Sequence, residues 1–501
     1  MTVRTAKYLS AILISYITFC VGLLYWAVIY SGSGDGDTLE HVHSAWLVYH
    51  GKIPYKDFFQ HHNPLLWYVT APFVGAYEYS LKAVDAVNIL TVTMTTITAL
   101  YIYRINKDFL TDRLGGLFAA ALFILPHESL FCKDFKPDNF MSTSLIVGIY
   151  YLLSYIKTKK LCYLILSFLC LFIAFMFTQK AVITLLCIGL IGMWLLYKKE
   201  LRLSDCFLSA SLPIAIYSCF LAFLYYEDVL GFYFRANFEL NSHIPDIFEA
   251  RKFVSPSFEM IVPVLFSMYA LIKCTYNSSI YVRTVGAVFV AEYMIRMYFF
   301  NPFLYYFIFM HALAATFAGV AIHQIINKRS YIAWLIAGGL VIQAGIYANF
   351  YSHRITLGDS YKYGASGFVL QNVNRCDYVV NGYRIGYNLF NKDVDFIWNL
   401  KGQIDVIADM IKLYPLSDLE SQIRKYRPKV IYGGNYYDTY QEYHGHIGKY
   451  PIHWISKHLL EEMYQPLNRD ELYILKPEYR RQDHDCIYNA KTKMYEYRSL
   501  D

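Results

Sequence analysis

The sequence lacks the motifs that would connect it to nucleotides or to a structural metal ion. It contains no G-x-x-x-x-G-K-[ST] loop and no G-x-G-x-x-G turn, so nothing indicates direct use of nucleotide energy. None of its 10 cysteines forms a C-x-x-C pair, so the sequence has no zinc-binding pattern. Internal repeats, low-complexity tracts and flexible Gly/Ser linkers are also absent. These absences argue against a nucleotide-driven enzyme and against a repeat architecture.

Charge is also scarce. Charged residues make up only 17% of the 501 residues, whereas hydrophobic residues make up 56% and aromatic residues 18%. This composition, with a mean hydropathy of +0.29, is far from that of an average soluble domain and indicates a membrane protein. The formal net charge of +6 accompanies a positive-inside pattern and is no evidence for nucleic-acid binding. We therefore expect membrane lipids, and no nucleic acid, as partners of the chain.

Apolar runs of about 20 residues, long enough to cross a bilayer as helices, recur along most of the first 350 residues. The first run is too long for a signal peptide and lacks an A-x-A-like cleavage site, so we interpret it as an uncleaved helix. About eleven spans are predicted, near residues 9–30, 83–103, 114–131, 139–156, 161–178, 181–197, 206–226, 257–275, 280–300, 302–325 and 331–351.

Lysines and arginines fall in alternate loops, which places the N-terminus in the cytoplasm. Loops 31–82, 132–138 and 227–256 and the region after 352 then face outward. Residues 64–79, "PLLWYVTAPFVGAYEY", are apolar but short, and counting them as a span would invert every later loop. We predict that they form a helix at the membrane interface.

After residue 351 the chain becomes polar, and "CDYVVNGY" and "KVIYGG" are typical of strands, whereas "SDLESQIRKY" is typical of a helix. The sequence therefore predicts a transmembrane domain over 1–351 and a small extracytoplasmic α/β domain over 352–501. Cys376 and Cys486 both belong to this outward domain, where a disulfide is chemically permitted. The sequence gives no distance between them, so their pairing stays open.

The first outward loop concentrates acids, histidines and aromatic residues. Asp35 and Asp37 form a D-x-D pair, which could be no more than a solvated acidic loop. The following "DTLEHVHSAWLVYHGKIPYKDFF" has apolar residues at roughly helical spacing, so we expect the acids on a helix against the bilayer surface. In "HHNPLLWY", His61 and His62 precede a second helix with a proline near its first turn.

This stretch resembles the first outward loop of GT-C class membrane glycosyltransferases, a group that includes protein O-mannosyltransferases and aminoarabinose transferases of lipid A. In the second outward loop, "KDFKPDNF" is similar to the short R-P-D segment of bacterial members, and "FTQKAV" places Lys180 at the outer end of a span. The family's Asp-Glu dipeptide is not intact here, because Thr38 follows Asp37. Glu40 is the nearest replacement for the second acid.

The resemblance implies an all-α, multi-pass, GT-C-like membrane protein with the small α/β domain at its C-terminus, located in a bacterial inner membrane. It implies an inverting glycosyltransferase that moves a sugar from a polyprenyl-phosphate carrier to an extracytoplasmic acceptor, which would be lipid A, a cell-envelope glycan or a protein. Loops 31–82 and 132–138 would hold the catalytic groups. A divalent cation, Mg²⁺ or Mn²⁺, would be a cofactor if one is needed.

The resemblance and the topology suggest roles for individual residues. Asp37 is expected to be the base and Asp138 a second acid that orients the acceptor or a metal ion. The donor phosphate would lie near Lys136, Lys180 and His62. Further candidates for contact with substrate or metal are Asp35, Glu40, His61 and Arg235.

These assignments have structural alternatives. Lys136 and Lys180 could extend to lipid headgroups, and Asp138 could be only an acid favoured by a helix dipole. Glu292 and Arg296, four residues apart within a predicted span, could neutralise each other without a functional role. At the level of the whole chain, a lipid-linked sugar flippase or other transporter and a non-catalytic envelope protein are the alternatives. A transporter should carry its polar residues at mid-membrane, whereas here the acids are concentrated at one surface.

Overall fold

The computed structural model describes the chain in segments. They are residues 2–31, 36–124, 133–243, 263–270, 279–299, 307–356, 364–380, 388–394, 412–413, 419–432, 455, 457–467, 472–480, 486–489 and 494–497. The chain forms two compact units, each described by itself below. The first unit comprises residues 1–32, 88–222 and 248–358, and the second comprises residues 33–87, 223–247 and 359–501.

The chain is mostly helical. The helices of the first 356 residues are α1 (Val3–Trp26), α2 (Gly36–Tyr49), α3 (Leu65–Ala76), α4 (Lys82–Ile105), α5 (Arg113–Phe123), α6 (Pro137–Thr158), α7 (Leu161–Phe177), α8 (Ala181–Tyr197), α9 (Leu203–Tyr226), α10 (Leu230–Phe234), α11 (Ile280–Phe299), α12 (Ile308–Lys328) and α13 (Tyr331–Thr356). Short π-helical segments extend three of them, at Ala27–Ser31, Asn106–Leu110 and Arg235–Leu240.

Several helices can cross a membrane, so the predicted multi-pass character is confirmed. Six helical stretches in the described part of the chain are long and apolar enough, namely Val3–Tyr30, Lys82–Leu110, Pro137–Thr158, Leu203–Tyr226, Ile308–Lys328 and Tyr331–Ser352. Helices α5, α7 and α8 are apolar but shorter. Of the predicted span 257–275 only residues 263–270 are described. The number of eleven spans stays a prediction.

The helices of the first unit pack closely where small residues allow it. Helix α12 packs against α5, α6 and α11, and α7 lies along α6. At Gly319 of α12, an added Cβ would lie 2.7 Å from the Cβ of Ala119 and 2.8 Å from the carbonyl oxygen of Gly115 on α5. Only glycine fits this contact, as is common where transmembrane helices approach each other.

In the second unit, α2 and α3 pack against each other as a pair. Gly75 of α3 lies under the ring of Tyr49, which leaves no room for a Cβ atom. Tyr68, Val69 and Phe73 of α3 are exposed. Such an apolar face suits the predicted position of this helix at the membrane interface.

The rest of the second unit is the C-terminal region, which contains a small sheet. Its helices and strands are α14 (Gly364–Asn372), β1 (Tyr378–Val380), β2 (Lys392–Asp393), α15 (Leu419–Tyr426), β3 (Val430–Tyr432), α16 (Lys457–Met463), β4 (Tyr464–Pro466), β5 (Leu472–Leu475), β6 (Cys486–Asn489) and β7 (Met494–Tyr497). The five-stranded sheet has the order β2-β1-β3-β5-β4. Strands β2, β1 and β3 are parallel to one another, and β5 is antiparallel to both of its neighbours, β3 and β4. Strands β6 and β7 pair as a separate antiparallel hairpin. The two strands and the helix predicted here from the sequence correspond to β1, β3 and α15.

This region has its own apolar core and a disulfide. Val380, Ile431 and Leu475 from the sheet pack with Ile423 of α15 and Leu459 of α16. Cys376, just before β1, forms a disulfide with Cys486 in the hairpin, with 5.7 Å between the Cα atoms. The pairing that the sequence left open is therefore made, and it fastens the hairpin to the start of β1.

Candidate functional site

Helix α2 follows the first span in the chain and carries Asp37 in its first turn. The side chain of Asp37 is half-buried, and an acid at this position is favoured by the helix dipole. Leu39, Val42 and Trp46 recur at helical spacing and are buried. The helix predicted from this stretch is therefore present, but its polar residues Glu40, His41 and His43 are buried as well, so the structure shows no polar face exposed to solvent at the middle of α2. Asp35, the other acid of the D-x-D pair, lies outside the described residues.

Glu40 is held by a hydrogen-bond network inside the second unit. The Gln60 side-chain amide donates to Glu40 Oε1 at 3.1 Å and to Ser44 Oγ at 2.7 Å, and Ser44 Oγ donates to the Glu40 carbonyl oxygen at 2.9 Å. All three residues are buried. The network fixes the position of the Glu40 carboxylate on α2.

Three histidines gather beside this network. The rings of His61 and His62 lie 4.2 Å apart between centroids, and that of His62 lies 5.5 Å from that of His41. The Trp67 indole N–H donates to His41 Nδ1 at 3.2 Å. Because an indole N–H can only donate, His41 Nδ1 carries a lone pair and the ring is neutral with its proton on Nε2. His41 and His61 are buried, whereas His62 is half-buried.

The loop after α9 packs onto the same histidine segment. Asn241 Nδ2 donates to the His61 carbonyl oxygen at 2.7 Å, and the Tyr233 hydroxyl donates to Asn63 Oδ1 at 2.8 Å. The "HHN" segment is thus held, at one backbone and one side-chain oxygen, by residues about 170 to 180 positions later in the chain. Contacts this distant cannot be read from local sequence patterns.

Two ion pairs belong to this loop. Lys56 Nζ lies 2.6 Å from Glu227 Oε2, and Arg235 Nε lies 2.9 Å from Glu239 Oε2. The guanidinium of Arg235 also donates to the carbonyl oxygen of Lys412 at 3.0 Å. Since both side chains of the Arg235 pair are exposed, the ion pair itself contributes little to stability.

In the first unit, residues 133–136 belong to the second loop predicted to face outward and lead into α6, where the other group of candidate residues begins. Helix α6 has Lys136 as its N-cap, Pro137 at its first position and Asp138 in its first turn. The helix dipole favours an acid here, as the structural alternative requires. Asp138 is also only 1% exposed, and its carboxylate oxygens lie 3.3 and 3.4 Å from Lys180 Nζ. The structure thus pairs two residues that the sequence places 42 positions apart.

The same loop buries further charged groups. Lys136 is 1% exposed, which argues against extension of its side chain to lipid headgroups. Lys133 Nζ lies 3.3 Å from Asp134 Oδ1, and both side chains are nearly buried. Asn139 Nδ2 donates to the Asp134 carbonyl oxygen at 3.0 Å. With Asp138 and its partner Lys180, ionisable side chains of both signs are therefore held at and near the start of α6, and lysine ammonium groups can bind an anion.

The candidate residues therefore fall into two groups in two different units. Asp138, Lys136 and Lys180 belong to the first unit, and Asp37, Glu40, His61, His62 and Arg235 to the second. Sequence reasoning missed Gln60, Trp67 and the Lys133–Asp134 pair. A signal existed only for the last, since both residues stand in the "KDFKPDNF" segment.

The fit of a metal ion can be tested on the described side chains. Within the segments given above, no group of three or more His, Cys, Asp or Glu side chains is arranged to hold a metal ion. Asp35, an acid that the D-x-D interpretation would require, is not among those residues. Mg²⁺ or Mn²⁺ as a cofactor stays a prediction.

Within the predicted span 280–300, Glu292 lies on α11 and is fully buried. The side chain of Arg296 is outside the described part of the structure. The predicted i,i+4 pair therefore stays a prediction.

Comparison with known proteins gives a match to a protein-family model. Residues 72–226 match the family described as dolichyl-phosphate-mannose-protein mannosyltransferase. This segment includes the loop at 132–138, the start of α6 and Lys180. No curated protein sequence matches the chain.

Three solved structures share the fold over most of the chain. ArnT from Cupriavidus metallidurans, bound to undecaprenyl phosphate, matches with a TM-score of 0.56 and 9% identity, over 94% of this chain and 99% of ArnT. The Archaeoglobus fulgidus oligosaccharyltransferase in complex with Zn and sulfate matches with a TM-score of 0.54 and 12% identity, over 97% and 72% of the two chains. The oligosaccharyltransferase AglB of the same organism, with an inhibitory peptide and a dolichol-phosphate, matches with a TM-score of 0.54 and 10% identity, over 86% and 70%.

At these identities the matches establish the fold. All three structures are GT-C glycosyltransferases, so the resemblance inferred from the loops predicted to face outward is confirmed for the fold. The prediction of a mostly helical membrane protein with a small sheet at its C-terminus is also confirmed.

Proposed function

We propose that this protein is a GT-C glycosyltransferase that transfers a sugar from a polyprenyl-phosphate carrier to an acceptor on the outer side of a bacterial inner membrane. The observation that carries the proposal is the Asp138–Lys180 pair at the start of α6, with the buried Lys136 and Lys133 in the preceding loop, in a chain with a GT-C fold. Buried charges are costly unless they are paired or serve a ligand. Lysine side chains held at the membrane surface suit a lipid phosphate.

The lysines would bind the donor phosphate. When the sugar leaves, negative charge increases on the phosphate oxygen that was bonded to C1, and cationic groups already in position stabilise that charge. The ArnT structure contains bound undecaprenyl phosphate, and the AglB structure contains a dolichol-phosphate. Ligands of this kind on the same fold support a lipid phosphate at this site.

Asp37 would act as the base. An acceptor hydroxyl or amine attacks the sugar C1 from the face opposite the phosphate, the new C1 bond forms as the C1–O bond to phosphate breaks, and polyprenyl phosphate leaves. Asp37 takes the proton from the attacking group, and the configuration at C1 is inverted. A positioned carboxylate contributes about 10² to 10⁴ in rate to such a step. Glu40 and His62 would contact the substrates from the same unit.

The disulfide supports an outward location for the C-terminal region. Disulfides form and persist in oxidising compartments and are rare in the cytosol. A bond between Cys376 and Cys486 therefore agrees with the orientation inferred from the lysines and arginines, with the N-terminus inside. The acceptor would then be lipid A, a cell-envelope glycan or a protein.

A strain that lacks the protein tests this function. We expect its polyprenyl-phosphate sugar to accumulate in the outer leaflet, and wild-type protein, but not the Asp138→Asn variant, to restore the normal level. The leaflet is measured by the accessibility of the sugar to an added impermeant enzyme. Accumulation confined to the inner leaflet would indicate a flippase, and no accumulation would contradict the proposal.

A further inference from the structure

A buried turn of the C-terminal region, Asn388–Asn391, packs against the helix that carries Asp37. The turn is closed by its two asparagines, because Asn388 Nδ2 donates to the Asn391 carbonyl oxygen at 2.6 Å and the Asn391 backbone N–H donates to Asn388 Oδ1 at 3.0 Å. Asn391 Nδ2 also donates to the carbonyl oxygens of Asn374 at 2.7 Å and Asp377 at 3.2 Å. Four hydrogen bonds therefore fix the position of Leu389 and Phe390, and both are buried.

These two residues contact the middle of α2. His43 Nδ1 lies 3.2 Å from the Leu389 carbonyl oxygen, and since a carbonyl can only accept, Nδ1 must carry the ring proton. The Phe390 ring meets the edge of the Trp46 indole at 6.3 Å between centroids and packs against Tyr79 at 5.6 Å. His43 and Trp46 lie three positions apart, so the turn contacts one face of the helix.

A second set of contacts continues this face by another turn. The Trp46 indole donates to Glu78 Oε1 at 2.6 Å, and His50 Nε2 lies 2.6 Å from the same oxygen. The guanidinium of Arg375 lies 4.4 Å from the centroid of the Tyr79 ring. Burial alone would raise the pKa of Glu78, but the hydrogen bonds from His50 and Trp46 and the charge of Arg375 outweigh it and lower the pKa. Glu78 is therefore a carboxylate at neutral pH and binds α2 as an anion.

We infer that the Asn388–Asn391 turn is a positioning element for sugar transfer, which sets the rotation of α2 about its axis and so directs the Asp37 carboxylate. The inference rests on the proposed role of Asp37 as the base. Side chains on a helix extend about 5 to 6 Å from its axis. A rotation of about 10° would then move the carboxylate by about 1 Å, and a displacement of that size can lower a rate by about 10². His43 and the turn act through the helix.

Two substitutions of His43 separate positioning from general stability. In His43→Asn the side-chain amide places an N–H where Nδ1 stands and keeps the bond to Leu389. His43→Gln places its N–H where Nε2 stands and loses that bond. We expect His43→Asn to retain kcat within about threefold, and His43→Gln and Phe390→Ala to lose about tenfold or more. The KM for the donor should be unchanged, since Lys136 and Lys180, which are proposed to bind the donor phosphate, are left intact in these variants. Tyr49→Phe, which changes a half-exposed residue on the same helix, should behave as wild type.

Hydrogen exchange gives a readout that does not depend on activity. In full-length protein in membranes, the backbone amides of residues 40–49 should exchange faster in His43→Gln and Phe390→Ala than in wild type or His43→Asn. If these two variants exchange faster but the wild-type protein transfers no sugar, the proposed function is contradicted, whereas the contact between the turn and α2 is still supported. An active wild type whose His43→Gln and Phe390→Ala variants keep full kcat at wild-type protein levels would overturn the inference, whatever their exchange rates.

Discussion

Substitution of Asp138 should distinguish a functional ion pair from a structural one. Asp138 is 1% exposed and the Lys180 side chain 12%, so the pair is shielded from solvent. In Asp138→Asn the amide keeps the size of the side chain but leaves the Lys180 ammonium without this carboxylate. Loss of one partner from a buried pair typically costs about 3–5 kcal/mol of unfolding free energy. We expect a loss near the lower end, because the Asn oxygen can still accept a hydrogen bond.

The double variant Asp138→Asn/Lys180→Met removes both charges. Replacement of a whole buried pair by apolar or neutral groups is often close to neutral for stability. Its thermal melting midpoint in detergent should therefore lie nearer to wild type than that of Asp138→Asn. If the pair serves the donor phosphate, transfer in membranes stays lost in the double variant. If the double variant recovers both sugar transfer and stability, the ion pair does not serve the donor phosphate and Asp138 has only a structural role.

Three further predictions concern pH, redox state and topology. Burial lowers the pKa of His43 to about 4, from an ordinary value near 6.5. Because His43 binds a proton more readily in the unfolded state, the unfolding free energy should fall by about 3 kcal/mol as the pH drops from 6.5 to 4. The His43→Asn variant should lack this contribution to the pH dependence of stability, which is measured by thermal melts at several pH values. Reduction of the Cys376–Cys486 disulfide, or Cys376→Ser, should destabilise the C-terminal region by about 2–4 kcal/mol, measured by limited proteolysis. Reporter fusions after residues 110 and 360 should read cytoplasmic and external, respectively.

Each of these predictions has its own refuting result. A His43→Asn protein with the same pH dependence as wild type would assign the effect to another group. Free thiols at both Cys376 and Cys486 in unreduced membranes would contradict the disulfide. Identical readouts from the two reporter fusions would overturn the orientation.

The elements that the sequence predicted well are those whose signal is local. The span predicted at 139–156 is matched by α6 at Pro137–Thr158, and "KVIYGG" contains β3. A long apolar run requires a buried or membrane-spanning helix whatever its neighbours are. A short β-branched run next to glycines similarly favours a strand.

The sequence could not predict contacts between distant parts of the chain. Lys180 was a candidate because it stands at the end of a span, but nothing local indicates that its ammonium faces Asp138. The same is true of the bond between His43 and Leu389, which joins residues 346 positions apart. Periodicity shows which face of a helix is buried, but the partner of that face depends on tertiary packing.

Gln60 is a different kind of omission. An isolated glutamine between an aromatic residue and a histidine has no motif, and its role appears only from the two bonds that it donates to Glu40 and Ser44. The departure from the Asp-Glu dipeptide was visible in the sequence and indicated Glu40 as the second acid. The Gln60 network supports a fixed Glu40 carboxylate, and its contact with substrate stays a prediction.

The turnover of Asp37→Asn tests the proposed role of Asp37 as the base of sugar transfer. It is measured with a polyprenyl-phosphate sugar in membranes that contain matched amounts of each variant. Asn keeps the size and most hydrogen bonds of Asp but lacks a basic oxygen, so turnover should fall by about 10² or more while donor binding survives. Asp57→Asn is the matched control in the same loop, because Asp57 accepts a hydrogen bond from the backbone N–H of Ile53 at 2.7 Å and the amide oxygen of Asn can still accept it. Equal losses in Asp35→Asn and Asp37→Asn that added Mn²⁺ or Mg²⁺ restores would indicate a metal site instead of a base. Full transfer activity of Asp37→Asn would contradict the role of Asp37 as the base.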